Sequence, residues 1–148
     1  MFKNILITLL LTVLFISSCS SPGITHTPPV LEDDWTVRMI QSGGIAGVNR
    51  AVEVLSDGSY TVYQQAGGEA ITGQLTEPEL AQLKELIANL EITAIRTDKM
   101  CADCFEYDIE INSGGKKMNV QLDDITLPDS GVEELVTFLR GLIDSASK

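Results

Sequence analysis

The chain has 148 residues and a formal net charge of -11, from 10 Lys and Arg against 21 Asp and Glu. This length suits one ordinary domain, and the acidic charge argues against binding to nucleic-acid phosphates or to anionic lipid head groups by electrostatics. The single histidine excludes a histidine-rich metal site and disfavours a Ser-His-Asp triad.

The first 18 residues have the pattern of a secretion signal. Lys3 precedes an apolar run over residues 5–16, and this run is shorter than the ~20 residues that a membrane-spanning helix needs. The segment ends in Ile-Ser-Ser-Cys at residues 16–19, which resembles a bacterial lipobox. The resemblance implies cleavage before Cys19 and a thiol carrying a diacylglycerol, with palmitate among its acyl chains. An ordinary secretory signal with an incidental cysteine is the alternative.

A lipidated Cys19 would anchor the chain through acyl chains, each buried CH₂ contributing ~0.8 kcal/mol. We therefore expect a protein of the bacterial cell envelope, attached to the lipid bilayer. Ser20 fits outer-membrane sorting in a Gram-negative cell, by analogy with other lipoproteins. Residues 19–34 contain prolines, glycine and three consecutive acids, which predicts a flexible tether. His26 is expected to be a solvated residue of this tether.

From Trp35 onwards apolar and polar residues alternate, which predicts half-buried strands. The first strand begins at Trp35 and is interrupted by the glycine-rich residues 43–47. Asp57 and Gly58 predict a hairpin with a type I′ turn. Further strands are expected over residues 48–55, 60–65, 70–75, 105–111 and 116–122.

Two segments have the apolar spacing of amphipathic helices. Thr76 and Glu79 form a capping-box pattern ahead of the first, and Ser130 with Glu133 does so ahead of the second. The expected buried stripes are Leu80, Leu83, Leu86, Ile87 and Leu90, and Val132, Leu135, Val136, Leu139, Leu142 and Ile143. Together with the hairpins, this order predicts an α+β domain over residues 35–148, an antiparallel sheet with two helices packed on one face.

Cys101 and Cys104 admit four interpretations. A zinc site needs about four ligands, and neither a second cysteine pair nor a histidine lies nearby. A thioredoxin-like pair sits at a helix N-terminus, whereas a strand is expected to follow here. A structural disulfide suits an oxidising envelope and is the favoured interpretation, while two free thiols remain the fourth.

Enzymatic activity is not expected. The acidic pairs Asp123-Asp124 and Glu133-Glu134 lie on faces expected to be exposed, where nothing indicates shifted pKa values. The chain contains no GxSxG, phosphate-binding Gly-Lys or HExxH motif. We therefore expect no catalytic residue, no cofactor and no bound metal.

Several segments in order resemble the emfourin family, the protealysin-inhibitor domain. They are Ser-Gly-Gly-Ile-Ala-Gly-Val-Asn-Arg at residues 42–50, the helix entry at 75–76, Ala-Asp-Cys-Phe-Glu-Tyr-Asp at 102–108, Leu-Asp-Asp at 122–124, and Leu-Pro at 127–128. The resemblance implies an inhibitor of thermolysin-like zinc metalloproteases. The lipoprotein signal would place its target protease in the envelope or outside the cell. The cysteines around residues 102–103 and the signal are departures from the small soluble inhibitor.

The loop Gly43, Gly44, Ile45, Ala46 and Gly47 is the candidate partner-binding site. An inhibitor must present a rigid loop to the protease cleft, and glycines permit close backbone approach. The alternative is a turn that merely needs positive φ angles. Two rival functions remain: a non-inhibitory envelope binding module that uses its sheet face or acidic surface, and a thiol-disulfide enzyme.

Overall fold

Residues 24–65, 67–94 and 101–146 are described by a computed structural model of the chain. The predicted signal, residues 1–18, and the lipidation candidate Cys19 lie outside these residues, as does the start of the predicted tether.

Six antiparallel strands form the main sheet, in the order β5-β4-β3-β2-β7-β8, and β1 and β6 form a separate two-stranded ladder. This arrangement, with two α-helices in the same described part of the chain, confirms the predicted α+β class. In chain order the elements are β1 (Ile24–His26), β2 (Trp35–Gly43), β3 (Val48–Leu55), β4 (Ser59–Tyr63), β5 (Ala70–Gln74), α1 (Glu77–Ala88), β6 (Ile92–Ala94), β7 (Phe105–Ser113), β8 (Lys116–Asp123), a 3-10 helix (Leu127–Asp129) and α2 (Glu133–Ser145).

One hydrophobic core joins the sheet to both helices. Successive side chains of a strand point to opposite faces, and Val37 on β2 lies opposite Val54 on β3 and Ile111 on β7, all three fully buried. Leu83 and Ile87 of α1 and the whole predicted stripe of α2 join the same cluster. Since the strand residues of this cluster share one face, both helices cover that face.

The hairpin between β3 and β4 forms at the predicted place but with another turn. Gly58 has φ +83°, whereas no non-glycine residue among those described has a positive φ, so Asp57 does not adopt the type I′ conformation. The Gly58 N–H donates to the Leu55 carbonyl at 2.9 Å, and Asp57 Oδ1 accepts from the Ser59 N–H at 2.8 Å. The aspartate side chain thus stabilises a turn in which only the glycine is left-handed.

The capping box of α1 is confirmed. The Thr76 N–H donates to Glu79 Oε2 at 2.8 Å, and the Thr76 hydroxyl accepts from the Glu79 N–H at 3.5 Å. Two backbone donors that helix geometry leaves unpaired are therefore satisfied.

The predicted capping box at Ser130 does not form. The N-cap of α2 is Val132, and the Ser130 hydroxyl donates to the Leu127 carbonyl at 2.6 Å while accepting from the Val132 N–H at 3.2 Å. The hydroxyl closes the preceding 3-10 helix, and Gly131, with φ +77°, turns the chain before α2 begins.

Part of the predicted tether is attached to the domain. β1 pairs with β6 over its three residues, and Leu31 packs against the core. The Glu32 N–H donates to Ser113 Oγ at 2.8 Å. Backbone pairing and one apolar anchor therefore hold residues on the N-terminal side of Trp35, so the ordered domain begins before residue 35.

Candidate functional site

The tip of the β2–β3 hairpin is the loop that the sequence singled out. Gly43 pairs with Val48, and the Gly47 N–H donates to the Gly44 carbonyl at 3.0 Å, which closes a four-residue turn. Ile45 is 90% exposed, although it lies at the same odd-numbered parity as buried Val37 and Met39 of β2. The hairpin therefore presents an aliphatic side chain to solvent.

The first two glycines of the loop are required by packing within the chain. Gly43 and Gly44 have φ angles of +90° and +68°, which favour glycine. A Cβ on Gly43 would lie 2.6 Å from the Cys104 carbonyl oxygen, and one on Gly44 would lie 2.7 Å from the ring of Phe105. The glycines thus allow the hairpin to approach β7 closely, and Ile45 and Ala46 are the loop residues whose side chains face solvent.

Cys101 and Cys104 lie within disulfide-bonding distance, with their Cα atoms 5.4 Å apart. This geometry agrees with the predicted structural disulfide, which closes a turn directly before β7. The Gly44 N–H donates to the Cys104 carbonyl at 2.9 Å. The structure therefore brings the two sequence-predicted features, the hairpin tip and the cysteine pair, together at one end of the sheet.

Asp124 holds the start of β7 beside this turn. Its Oδ2 accepts from the Phe105 N–H at 2.8 Å and its Oδ1 accepts from the Tyr107 hydroxyl at 2.9 Å. Burial raises the pKa of Tyr107, and the hydrogen bond to Asp124 raises it further. The tyrosine therefore stays a protonated donor over the physiological range, and Asp124 acts as a structural acceptor.

A polar group under α2 supports the hairpin from the other side. Arg50 of β3 forms an ion pair with Asp144 of α2 at 2.9 Å, and the side chain of Gln41, on β2, is fully buried beside it. Sequence reasoning missed this group. The strand alternation could have revealed this group. Gln41 lies two residues after buried Met39 and Arg50 two residues before buried Val52, so both side chains point to the buried face of the sheet.

The acidic pair at residues 123–124 has structural roles. Burial disfavours the charged form of Asp123, but hydrogen bonds from the side chain and backbone of Thr126 and from the Ile125 N–H outweigh it and lower the pKa of this carboxyl. A carboxylate held ionised by local backbone donors is a turn-forming group rather than a proton donor at neutral pH.

No protein-family model matches the chain, and no curated protein sequence is significantly similar to it. Within residues 24–65, 67–94 and 101–146, no group of three or more His, Cys, Asp or Glu side chains is arranged to hold a metal ion. In the same part of the chain, no helix has the length and apolar character needed to cross a membrane.

Proposed function

We propose that this chain is a lipid-anchored inhibitor of a thermolysin-like zinc metalloprotease of the cell envelope, and that the hairpin tip enters the protease cleft with Ile45 as its main contact. The observation that carries the proposal is an exposed aliphatic side chain, Ile45, on a turn whose base is held by a hydrogen bond to Cys104 and by the ion pair of Arg50. The sequence resemblance of residues 42–50 and 102–108 to the emfourin family supports it.

Rigidity is what separates an inhibitory loop from a substrate. A protease cleaves a segment that adapts to its cleft, whereas a loop fixed before binding loses little conformational entropy on association. The hydrogen bond from Gly44 to Cys104, the adjacent disulfide and the ion pair of Arg50 restrain the tip at its base. These restraints favour tight binding without the backbone movement that cleavage needs.

The side chain of Ile45 supplies the apolar contact. Transfer of one exposed isoleucine side chain into an apolar pocket stabilises a complex by roughly 1.5–3 kcal/mol. An aspartate at this position would instead bring a charge into the cleft, which costs free energy unless the charge is paired.

Titration of thermolysin with the full chain, purified in detergent, tests the proposal. Stoichiometric inhibition is expected for the natural chain, and Ile45→Asp is expected to abolish it with an unchanged circular-dichroism spectrum. Val30→Asp is the matched control, because Val30 is 83% exposed and the change adds the same charge. Equal inhibition by both variants would show that Ile45 makes no contact, and an inactive natural chain would refute inhibition of this protease.

A second candidate function is a non-inhibitory binding module of the envelope. One observation favours it, a cavity of about 360 Å³ on the sheet face opposite the helices, lined by Arg38, Ile40, Asn49, Ala51, Tyr63 and Gly67. Tyr63→Ala would then abolish capture of a partner from solubilised envelopes, whereas Ile45→Asp would retain it. The reverse pattern would support the hairpin tip.

A further inference from the structure

The two edges of the main sheet differ in their protection against pairing with another chain. Edge strands of natural proteins are commonly guarded by lysines, proline or bulges. β8 begins with Lys116 and Lys117, which guard that edge. β5 has the sequence Ala-Ile-Thr-Gly-Gln, with neither charge nor proline, and four of its five residues are exposed.

The pairing of β5 with β4 shows which backbone groups face outwards. The Leu75 N–H donates to the Gly58 carbonyl at 2.9 Å, and in an antiparallel ladder the hydrogen-bonded pairs recur at every second residue. Residues 73 and 71 therefore bond to β4. The N–H and C=O groups that point away from the sheet belong to Ala70, Thr72 and Gln74.

We propose that β5 pairs with β5 of a second copy of this chain, antiparallel, about a two-fold axis at Thr72. A two-fold interface uses the same surface on both subunits, so the outward groups must be symmetric about one residue. Residues 70, 72 and 74 meet this condition. Thr72 would lie opposite Thr72, and Ala70 opposite Gln74, so that each outward N–H finds a carbonyl and a continuous twelve-stranded sheet forms.

The side chains of the edge fit this register. Ile71 lies opposite buried Val62 of β4, so it points to the helix side, where it is 37% exposed. In the proposed register it would face Gly73 of the second copy. A Cβ on Gly73 would meet the ring of Tyr60, so this ring covers the glycine and offers an apolar surface to the incoming isoleucine.

The absence of charge on β5 makes this edge a place where two acidic copies can approach one another. The chain carries a net charge of -11, so two copies repel one another over most of their surface. β5 itself contributes no charge, and pairing through it keeps carboxylates out of the new ladder. Like charges placed directly opposite one another across strands would be destabilising.

Cysteine crosslinking of the full chain, purified in detergent, tests the proposal. Two residues of a hydrogen-bonded antiparallel pair have Cα atoms about 5.5 Å apart, which a disulfide spans. Thr72→Cys should therefore form covalent dimers under mild oxidation. Ala70→Cys should not, because two copies of residue 70 would lie roughly 14 Å apart. Gln121→Cys, on the opposite edge strand, is the second control for random collision.

Dimer yields for Thr72→Cys no greater than those for Gln121→Cys, or equalled by Ala70→Cys, would overturn the proposal. A second variant tests the contact itself. Ile71→Lys, added to Thr72→Cys, should lower the yield of dimer about ten-fold, because each copy brings a charge to the same short interface. An unchanged yield would contradict the proposed packing of Ile71. Inhibition of thermolysin is not used as a readout, so the outcome is independent of the proposed function.

Discussion

Arg50 donates two hydrogen bonds, from Nε at 3.2 Å and from Nη2 at 2.8 Å, to the single side-chain oxygen of Gln41. The two residues face each other across β2 and β3. This double contact orients the guanidinium so that Nη1 reaches Asp144 at 2.9 Å. Gln41 Nε2 is buried and has no acceptor among the described groups, so the amide contributes to this contact only through its oxygen. Gln41 and Arg50 together connect the base of the hairpin to α2.

Loss of this contact should destabilise the domain in a non-additive way. We expect Gln41→Leu to lower the free energy of unfolding by about 1–3 kcal/mol, because the guanidinium loses its acceptor. The double variant with Arg50→Met should cost at least about 0.5 kcal/mol less than the sum of the single changes. Urea denaturation, monitored by the fluorescence of the buried Trp35, measures the free energy of unfolding of the two single variants and the double variant. Additive losses would show that the two side chains act independently.

Gly44→Ala should destabilise the chain far more than Gly47→Ala. Both glycines have positive φ, +68° and +60°, so each alanine costs about 1–2 kcal/mol of backbone strain. An added Cβ meets the Phe105 ring at Gly44 but finds open space at Gly47. Displacement of the ring should raise the loss at Gly44 to roughly 2–4 kcal/mol. Equal urea midpoints for Gly44→Ala and Gly47→Ala would contradict this role of the Phe105 ring.

Removal of the disulfide should loosen the hairpin tip without unfolding the domain. The closed loop is short, so Cys101→Ser with Cys104→Ser should cost no more than about 2 kcal/mol. The Gly44 amide should exchange with deuterium several-fold faster, since its acceptor is the Cys104 carbonyl. The amide of Ile109, in the middle of β7, is the internal control and should keep its rate. Unchanged exchange at Gly44 would show that the cystine does not restrain the tip.

The capping box of α1 should contribute stability that is lost in acid. Hydrogen bonds from the side chain and backbone of Thr76 lower the pKa of Glu79 below its usual 4.5. A carboxyl group whose pKa is lower in the folded state than in the unfolded state stabilises the fold at pH values above its unfolded-state pKa. This stabilisation disappears as the pH falls through the folded-state pKa. Thr76→Ala should therefore cost about 1 kcal/mol at neutral pH.

The difference in unfolding free energy between the natural chain and Thr76→Ala should stay constant between about pH 6 and 8 and narrow below about pH 4. Denaturation at several pH values measures it. A difference that persists unchanged in acid would show that the Thr76 hydroxyl acts without the Glu79 carboxylate.

Patterns that depend on near neighbours in the chain predicted most of the fold. The alternation around Val37 and Met39 placed the strands, and Thr76 with Glu79 placed the start of α1, because both signals act over a few residues. Ser130 failed as the N-cap because α2 begins later, with Val132 as its N-cap, and the Ser130 hydroxyl accepts from the Val132 N–H instead of the Glu133 N–H. Such competition between local partners is decided by backbone conformation, which the residue types alone do not specify.

The candidate site was predicted in its parts but not in its arrangement. The sequence singled out residues 43–47 and the pair Cys101 and Cys104 separately. The contact between Gly44 and Cys104 exists because β2 and β7 are neighbours in the sheet. Strand neighbours are chosen by packing of the whole core, so no short segment carries that information.

Residue order alone was sufficient for the α+β class, the positions of the two helices and of the six strands of the main sheet, the expected disulfide and the acidic composition, since periodicity, capping and cysteine spacing are properties of adjacent residues. It did not predict the short ladder of β1 and β6. Tertiary packing decided the strand order, the support of the hairpin by Gln41 and Arg50, and the exposure of the β5 edge. Each of these depends on which distant segments lie side by side, and that is settled only when the apolar faces of all the elements are buried together.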